Sequence, residues 1–324
     1  MQNSTNMTMF FLTAYGDNSN MRYLYFTSTL LGFLFILFAN LVIIAVIASD
    51  HKLHEPMYIF ICCLALNGLY GSCAFYPSCM ANLLSETPAI SRTGCFIQIF
   101  CLHTYGCFEY SILALMAYDR YLSICHPLIY NSIMTPSKMV QFLVFVFIYP
   151  ICFFCIHISL TIRLPLCGFI ITKVFCDNWS VVRLSCVDAS VNNVFGLCFI
   201  AVVMITPIFV VLYSYIRILA VCVKTSKEAR SKALETCTPH LLAFVNYNIA
   251  AFFEVVQHRF DLSNTSPISR IIMSVDFILL PPLLNPIIYG VKMQEIRKRI
   301  RRTFFSTKPN CVEVFICIYS TAVH

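Results

Sequence analysis

The sequence predicts an all-α membrane protein: a bundle of seven transmembrane helices with its N-terminus outside and a short interfacial helix after the seventh span. Three observations predict this fold. Of the 324 residues, 59% are hydrophobic and 11% are charged, whereas soluble domains average roughly 45–50% apolar and about 25% charged residues. Seven segments each supply about the 20 mostly apolar residues that a helix needs to cross a bilayer. Basic residues fall mainly on one side of these segments.

The predicted spans cover residues 23–48, 57–83, 93–122, 139–162, 192–219, 237–257 and 268–290. Helices are favoured over barrel strands because lipid requires every backbone polar group to be bonded internally and because the alternating pattern of short strands is missing. We expect an extracellular segment at 1–22, one membrane domain at 23–290 and a cytoplasmic basic tail at 291–324. Residues 1–22 lack the pattern of a cleaved signal peptide, so the first span should also direct insertion.

Lys and Arg residues set the predicted orientation, because cytoplasmic loops are enriched in them. With the N-terminus outside, 15 of the 22 Lys and Arg residues lie inside. The formal net charge of +7 then reflects loops that face anionic membrane lipid, and it gives no reason to invoke nucleic acid. Sequons at Asn3 and Asn6 lie in the outer segment and are candidate glycosylation sites, and further sequons occur at Asn178 and Asn264.

Most of the 18 cysteines lie within the spans, where Cys behaves as a small apolar residue. Four fall on the outer side: Cys95, Cys167, Cys176 and Cys186. An even number of cysteines facing an oxidising compartment predicts two disulfide bonds. The residues alone leave the pairing open.

Two motifs interrupt the apolar spans. The third span ends in MAYDRYLSICHPLIY, in which Asp119-Arg120-Tyr121 introduces charge. Alone, this triplet would be an interface anchor, with the arginine reaching headgroups and the tyrosine in the aromatic belt. The seventh span ends in PPLLNPIIYG at 281–290, where an Asn-Pro pair and a tyrosine one turn later allow the helix to bend or rotate at a defined point.

Together with a cysteine at the outer start of the third span, these motifs resemble the rhodopsin-like G-protein-coupled receptors, and other stretches resemble the olfactory receptors among them. The matching stretches are LHEPMY at 53–58, MAYDRYLSICHPLIY at 116–130, SYIRI at 214–218, KALETCTPHL at 232–241 and PPLLNPIIYG at 281–290. LHEPMYIFI with ALNGLYGS is most similar to the fish branch. The resemblance extends from about residue 39 to the basic tail.

The resemblance implies a plasma-membrane receptor of olfactory cilia that binds a small odorant within the bundle and activates a heterotrimeric G protein to raise cAMP. It implies disulfides between Cys95 and Cys176 and between Cys167 and Cys186. It also implies an activation switch in which Arg120 pairs with its neighbouring aspartate at rest and is stabilised by two tyrosines once the sixth span moves. The implied switch residues are Asp119, Arg120, Tyr121, Tyr215, Asn285, Pro286 and Tyr289. No enzymatic activity, cofactor or metal is implied, and the oligomeric state stays open.

Two departures from the family pattern qualify this picture. The second-span aspartate common in rhodopsin-like receptors is replaced by Gly68, with Asn67 beside it, which weakens the case for a standard sodium site. The sixth-span FYG is replaced by the residues Asn-Tyr-Asn-Ile at 246–249, which weakens any family rule for the residue that senses the agonist.

Glu109 lies eleven residues before Arg120, or about 16 Å deeper at about 1.5 Å per residue, near the middle of the membrane. A carboxyl group there marks a functional site by default. The alternative is a protonated glutamate that is hydrogen-bonded within the bundle. Both interpretations stay open on the sequence.

Ligand contacts are expected nearer the outside, among the third, fifth, sixth and seventh spans. The candidates are His103, Gly106, Cys107, Phe199, Val203, Asn248, Ala251, Val255 and Ile278. Each of them could equally be a packing residue, since an apolar helix face needs no ligand to explain it. His103 is either a hydrogen-bonding ligand contact or a satisfied core histidine.

The tail sequence KMQEIRKRIRR at 292–302 predicts a short interfacial helix with basic residues that reach lipid headgroups. Cys311 and Cys317 are either palmitoylation sites or plain thiols.

Two other classes of protein share parts of this pattern. A non-olfactory rhodopsin-like receptor for another small ligand would share most motifs, although an amine receptor would carry an aspartate where this chain has Leu102. A polytopic transporter would also be a helical bundle, but the chain lacks the self-similar halves that are typical of such proteins. Enzyme motifs such as HExxH and GxSxG do not occur in the sequence.

Overall fold

A computed structural model describes residues 8–15, 21–259 and 267–305, without the side chains of 255–259, 267–274 and 304–305. The seven predicted spans form the helices Arg22–Ser49, Pro56–Leu84, Arg92–Cys125, Pro136–Ile162, Ser190–Cys222, Lys227–Arg259 and Pro267–Lys292. These helices are named here the first to seventh spans, in chain order. The seven-helix bundle that the sequence predicts is thereby confirmed.

Within the described residues, six of these helices are long and apolar enough to cross a membrane, with 275–292 counted for the seventh span. The sixth span is more polar. It carries His240, Asn246 and Asn248 among apolar residues, and its first turns are charged. The first turns of this helix, which are rich in basic residues, therefore extend beyond the apolar layer on the inner side of the membrane.

The fifth span contains an irregular turn at the level of the cavity described below. Regular helix covers Ser190–Ile200 and Thr206–Cys222, and a π-helical turn, Ala201–Ile205, separates them. Pro207 follows this turn. A proline has no N–H and its ring collides with the carbonyl four residues earlier, so the preceding backbone widens to accommodate it.

The third span forms the centre of the bundle and packs against the second, fourth, fifth and sixth spans. Its close approach to the second span depends on Gly71. A Cβ atom at this position would lie 2.5 Å from the ring of Tyr105, which is shorter than van der Waals contact. The hydroxyl of Tyr105 in turn donates to the carbonyl of Phe277 at 3.2 Å, so one buried tyrosine connects three spans.

A small β-sheet covers the outer end of the bundle. Its strands are β1 (Met9–Leu12), β2 (Ala89–Ser91) and β3 (Ile170–Ile171), in the order β2-β1-β3. β1 pairs antiparallel with β2 and parallel with β3. Phe10 and Leu12 are buried and the alternate residues are exposed, as the two-residue period of a strand requires. The described part of the N-terminal segment is thus attached to the first and second outer loops.

Two short helices lie at the inner end. Pro127–Ile133 follows the third span, and Gln294–Phe305 follows the seventh. The second of these confirms the predicted interfacial helix: it packs on the first and seventh spans and buries Ile296 completely. Its Arg299 lies 3.7 Å from the carboxylate of Asp50.

Cys311 and Cys317 lie outside the described residues, as do Asn3, Asn6 and Asn264.

Candidate functional site

A cavity of about 170 Å³ opens in the outer half of the bundle, between the third to seventh spans and the second outer loop. Its deeper wall is mainly apolar. The residues of that wall are Gly106, Cys107, Phe199, Ile200, Val203 and Met204. The space is suited to a small organic molecule, because such cavities combine an apolar lining with a few placed polar groups.

Six of the nine predicted ligand contacts line this cavity: His103, Gly106, Cys107, Phe199, Val203 and Ala251. The side chain of Val255 lies outside the described residues. The other two predicted contacts, Asn248 and Ile278, do not line the cavity. The Nδ2 atom of Asn248 donates to the carbonyl of Phe244 in its own helix at 2.7 Å. Ile278 is fully buried in an apolar cluster with Leu102 and Phe175.

Tyr247, rather than its neighbour Asn248, faces the cavity from the sixth span. Its hydroxyl donates to the carbonyl of Gly106 at 2.8 Å. A Cβ atom on residue 106 would lie 3.0 Å from that hydroxyl, so glycine leaves the room that the tyrosine occupies. This contact ties the sixth span to the third at the level of the cavity.

His103 lies at the cavity and is also hydrogen-bonded within its own helix, so the two alternatives left by the sequence both stay open. It lines the cavity, and its Nδ1 atom donates to the carbonyl of Ile99 at 2.9 Å. The ring is stacked on Phe154, with 4.8 Å between the ring centroids. The imidazole is therefore held in place by its own helix and by the fourth span.

The second outer loop forms the roof of the cavity through Phe175, Asp177, Asn178 and Trp179. Two disulfides hold this loop, Cys95–Cys176 and Cys167–Cys186, and both are the pairs that the family resemblance implied. The backbone N–H of Cys176 also donates to Gln98 on the third span at 2.9 Å.

A buried ion-pair cluster connects this roof to the sixth span. The ammonium group of Lys173 lies 2.8 Å from Glu254 and 3.5 Å from Asp177. Burial alone would lower the pKa of Lys173, but the carboxylates of Asp177 and Glu254 outweigh it and raise this pKa above its usual value. The lysine is thus held in its charged form. Sequence reasoning missed this cluster, since Glu254 is 81 residues from Lys173 in the chain.

In the Asp-Arg-Tyr motif at the inner end of the third span, Asp119 and Arg120 form an ion pair. The guanidinium of Arg120 contacts the carboxylate of Asp119 at 2.5 and 3.1 Å. The other carboxylate oxygen accepts the hydroxyl of Tyr130 at 2.7 Å. Tyr121 points elsewhere and lies 2.9 Å from the ring of His126. Asp119 is therefore fully partnered within the MAYDRYLSICHPLIY stretch.

Among the described residues, Tyr215 of the fifth span makes no hydrogen bond to Arg120. Its hydroxyl lies 2.5 Å from Nδ1 of His240, and Nε2 of that histidine donates to the carbonyl of Leu113 at 2.8 Å. His240 is fully buried and so joins the third, fifth and sixth spans. Nearby, the hydroxyl of Tyr289 is buried and has no partner among the described residues.

Glu109 lies at the centre of a polar cluster between three spans. One carboxylate oxygen accepts Nδ2 of Asn67 at 2.8 Å, and the other accepts Nδ2 of Asn285 at 2.6 Å. Asn285 and Pro286 belong to the NPxxY motif, so the carboxyl group anchors the seventh span at its proline. Gly68 lies beside Asn67. A Cβ atom added at residue 68 would lie 3.3 Å from Asn40 and 3.4 Å from Pro282.

Among the residues whose side chains are described, no group of three or more His, Cys, Asp or Glu side chains could hold a metal ion. The residues of the cavity, its roof and the inner hydrogen bonds that sequence reasoning did not single out are His157, Lys173, Asn178, Asn192, His240, Tyr247 and Glu254. Of these, His240 lies in a quoted motif, KALETCTPHL, and could have been found there as the only histidine of the sixth-span apolar segment.

Comparisons with known proteins identify the family of this chain and a solved structure with a similar fold. The model of the family described as "Olfactory receptor" matches residues 29–307. Olfactory receptor 51L1 from Homo sapiens is 35% identical over 85% of this chain and 87% of the relative, and olfactory receptor 52D1 from Homo sapiens is 37% identical over 83% and 85%. The crystal structure of squid rhodopsin has a TM-score of 0.70 at 15% identity, covering 92% of this chain and 91% of that one. The chain therefore belongs to the olfactory receptor family, and its fold is similar to that of squid rhodopsin.

Proposed function

We propose that this protein is an odorant receptor that binds a small molecule in the outer cavity and activates a heterotrimeric G protein at its inner face. One observation carries the proposal. The sixth span lines the cavity through Tyr247 and Ala251, and two turns further in its His240 holds Tyr215 near the inner charge pair. A single helix thus joins the two sites that a receptor must couple.

In the resting arrangement, Arg120 is neutralised by Asp119 and Tyr215 is bonded to His240. Outward movement of the sixth span would separate His240 from Leu113 and from Tyr215. The tyrosine would then be able to reach the arginine, and the opened crevice would admit the C-terminal helix of a G-protein α subunit, as the family resemblance implies.

A ligand drives this change only to the extent that it binds the open state better than the closed one. The cavity can supply that difference because its walls come from spans that must move relative to each other. Tyr247 bonds across the cavity to Gly106, and Glu254 bonds to the roof through Lys173. A molecule that enters between these elements changes both contacts.

We place the receptor in the plasma membrane of olfactory cilia, coupled to a cAMP-raising G protein, by analogy with its family. The test is a cAMP reporter in cells that express this chain with an olfactory G protein, screened against water-soluble odorants. We expect at least one agonist, and we expect Gly106→Val, which fills the cavity next to Tyr247, to abolish its effect at equal surface density. An agonist response that is unchanged in Gly106→Val would place the ligand elsewhere.

A further inference from the structure

The part of the second outer loop at 173–177, named here the roof segment, is fixed to two neighbouring elements. Its Cys176 is joined by the disulfide to Cys95, at the outer start of the third span. The hydroxyl of Tyr15, in the turn that follows β1, donates to the carbonyl of Val174 at 2.8 Å. The roof segment is therefore held in place by the third span and by the outer β-sheet.

Phe175 attaches the roof segment to two more spans through apolar contacts. This residue is 2% exposed. Its ring makes an edge contact with Phe75 of the second span, with 5.9 Å between the centroids. It also lies 6.5 Å from the ring of Phe277 on the seventh span. These contacts do not involve the sixth span, so they keep the roof segment in place when that helix moves.

Lys173 connects this fixed segment to the sixth span. Its ammonium group lies 2.8 Å from the carboxylate of Glu254, and the two side chains are only 10% and 13% exposed. The same ammonium group lies 3.5 Å from Asp177 and 5.4 Å from the centroid of the Phe175 ring. Because little water can replace the lost partner, the energy of such a shielded ion pair depends strongly on the separation of its charges.

The position of Glu254 makes this ion pair sensitive to movement of the sixth span. Glu254 lies fourteen residues beyond His240 on the same helix, or about 21 Å at about 1.5 Å per residue. A shift or rotation of the helix that separates His240 from the third span also displaces Glu254 relative to the roof segment. Since the roof segment cannot follow, the distance between ammonium and carboxylate must change.

We propose that the ion pair between Lys173 and Glu254 is an outer latch, which holds the sixth span in its resting position and so limits signalling without ligand. This inference rests on the proposed receptor function and assigns a regulatory contact to it. The latch breaks when the helix moves to open the inner crevice. Glu254 also lines the cavity, so a bound ligand can loosen the latch by contacting its carboxylate.

Glu254→Gln is the first test, because it removes the charge and keeps the size of the side chain. The ammonium group of Lys173 retains Asp177 as a charged partner, so the variant does not leave a buried cation alone. We expect basal cAMP to rise about fivefold at equal surface density, since removing one charge of a shielded ion pair shifts a two-state equilibrium by at least about this factor.

A second measurement detects the movement of the helix without a G protein. Cys237, near the inner end of the sixth span, is 2% exposed, and opening of the inner crevice would expose its thiol. Inside-out membrane vesicles are treated with a membrane-impermeant maleimide, and labelling of Cys237 is followed by mass spectrometry. We expect labelling to be about fivefold faster in Glu254→Gln than in the wild type, by the same shift of the equilibrium.

Two further variants separate the latch from a general loosening of the roof segment. Tyr15→Phe removes a bond of the same segment that does not reach the sixth span, so it should leave basal cAMP and labelling at the wild-type level. The double variant Lys173→Met/Glu254→Gln should match Glu254→Gln, because both remove the same latch. The double variant also removes both charges together, so it replaces the single one if that is not exported.

Labelling of Cys237 at the wild-type rate in the exported variant would overturn the inference, whatever the cAMP level. The same increase in Tyr15→Phe would also overturn it, because the effect would then come from the roof segment as a whole. Faster labelling without a rise in cAMP would support the latch and contradict the proposed coupling to a G protein. Faster labelling with raised cAMP would support both.

Discussion

Replacing Glu109 tests whether the buried carboxyl group holds the resting state or only fills a polar site. The carboxylate accepts hydrogen bonds from Asn67 at 2.8 Å and from Asn285 at 2.6 Å. Glu109→Leu would leave two buried donors without partners, and each costs about 1–3 kcal/mol. The sum, about 2–6 kcal/mol, is a large fraction of the stability of a typical domain. We expect this variant to fail export.

Glu109→Gln has a smaller and more informative expected effect. The side-chain oxygen of the glutamine can still accept one of the two hydrogen bonds. The glutamine NH2 group, however, would face the amide NH2 of Asn67 or Asn285. That conflict is relieved if Asn285 turns its oxygen inward, since its Oδ1 atom has no partner among the described residues, whereas Nδ2 of Asn67 also donates to the carbonyl of Tyr105 at 3.1 Å. What is then lost is the extra strength of hydrogen bonds to a charged group, about 1–2 kcal/mol.

Because Asn285 belongs to the NPxxY motif, this loss falls on the contact that anchors the seventh span in its resting position. A change of about 1–2 kcal/mol alters a two-state equilibrium about 5- to 30-fold. We therefore expect Glu109→Gln to reach the surface with raised basal cAMP or a shifted agonist potency. The assay is a full dose-response at equal surface expression, with Glu55→Gln, an exposed glutamate at the inner end, as the control.

If Glu109→Gln is silent while Glu109→Leu fails export, the glutamate is a structural hydrogen-bond acceptor and the functional interpretation is wrong. If Glu109→Gln is silent and Glu109→Leu is exported normally, both interpretations are refuted.

Three further predictions follow from the structure. Cys95→Ser and Cys176→Ser should each impair folding and export, and the double variant should be no worse than either single one, because all three remove the same bridge; a Cys95–Cys186 peptide in a non-reducing digest would contradict the pairing. His240→Ala should raise basal cAMP several-fold, since it frees Tyr215 and the carbonyl of Leu113, and Thr238→Ala, at an exposed position of the same helix, is the control; unchanged basal cAMP would exclude a resting lock. Asn178 should carry no glycan despite its sequon, because its side chain is 4% exposed and bonded to His157; a glycopeptide containing Asn178 would show that the loop is arranged differently.

The sequence predicts the spans well because each depends on local composition. Six of the nine expected ligand contacts line the cavity, since helical spacing places neighbours of one correctly oriented residue on the same face. Asn248 does not line the cavity, and Tyr247 does, because one residue along a helix corresponds to about 100° of rotation.

Several contacts between residues distant in the chain could not be predicted from local sequence patterns. The strand β1 has no partner nearby in the chain and gains its hydrogen bonds from two loops that the fold brings to it. His157 was overlooked because the fourth span was not expected to reach the cavity. The pairing of Lys173 with Glu254 depends on how the roof is folded over the bundle, which no local pattern encodes.

The most direct test of the proposed coupling between cavity and G protein is the agonist-evoked cAMP response of Arg120→Ala. The arginine is held by Asp119 at rest and lies far from the cavity, so the variant should bind agonist and reach the surface normally. At matched surface immunostaining we predict that agonist-evoked cAMP is abolished. A wild-type response from Arg120→Ala at equal surface density would contradict the account.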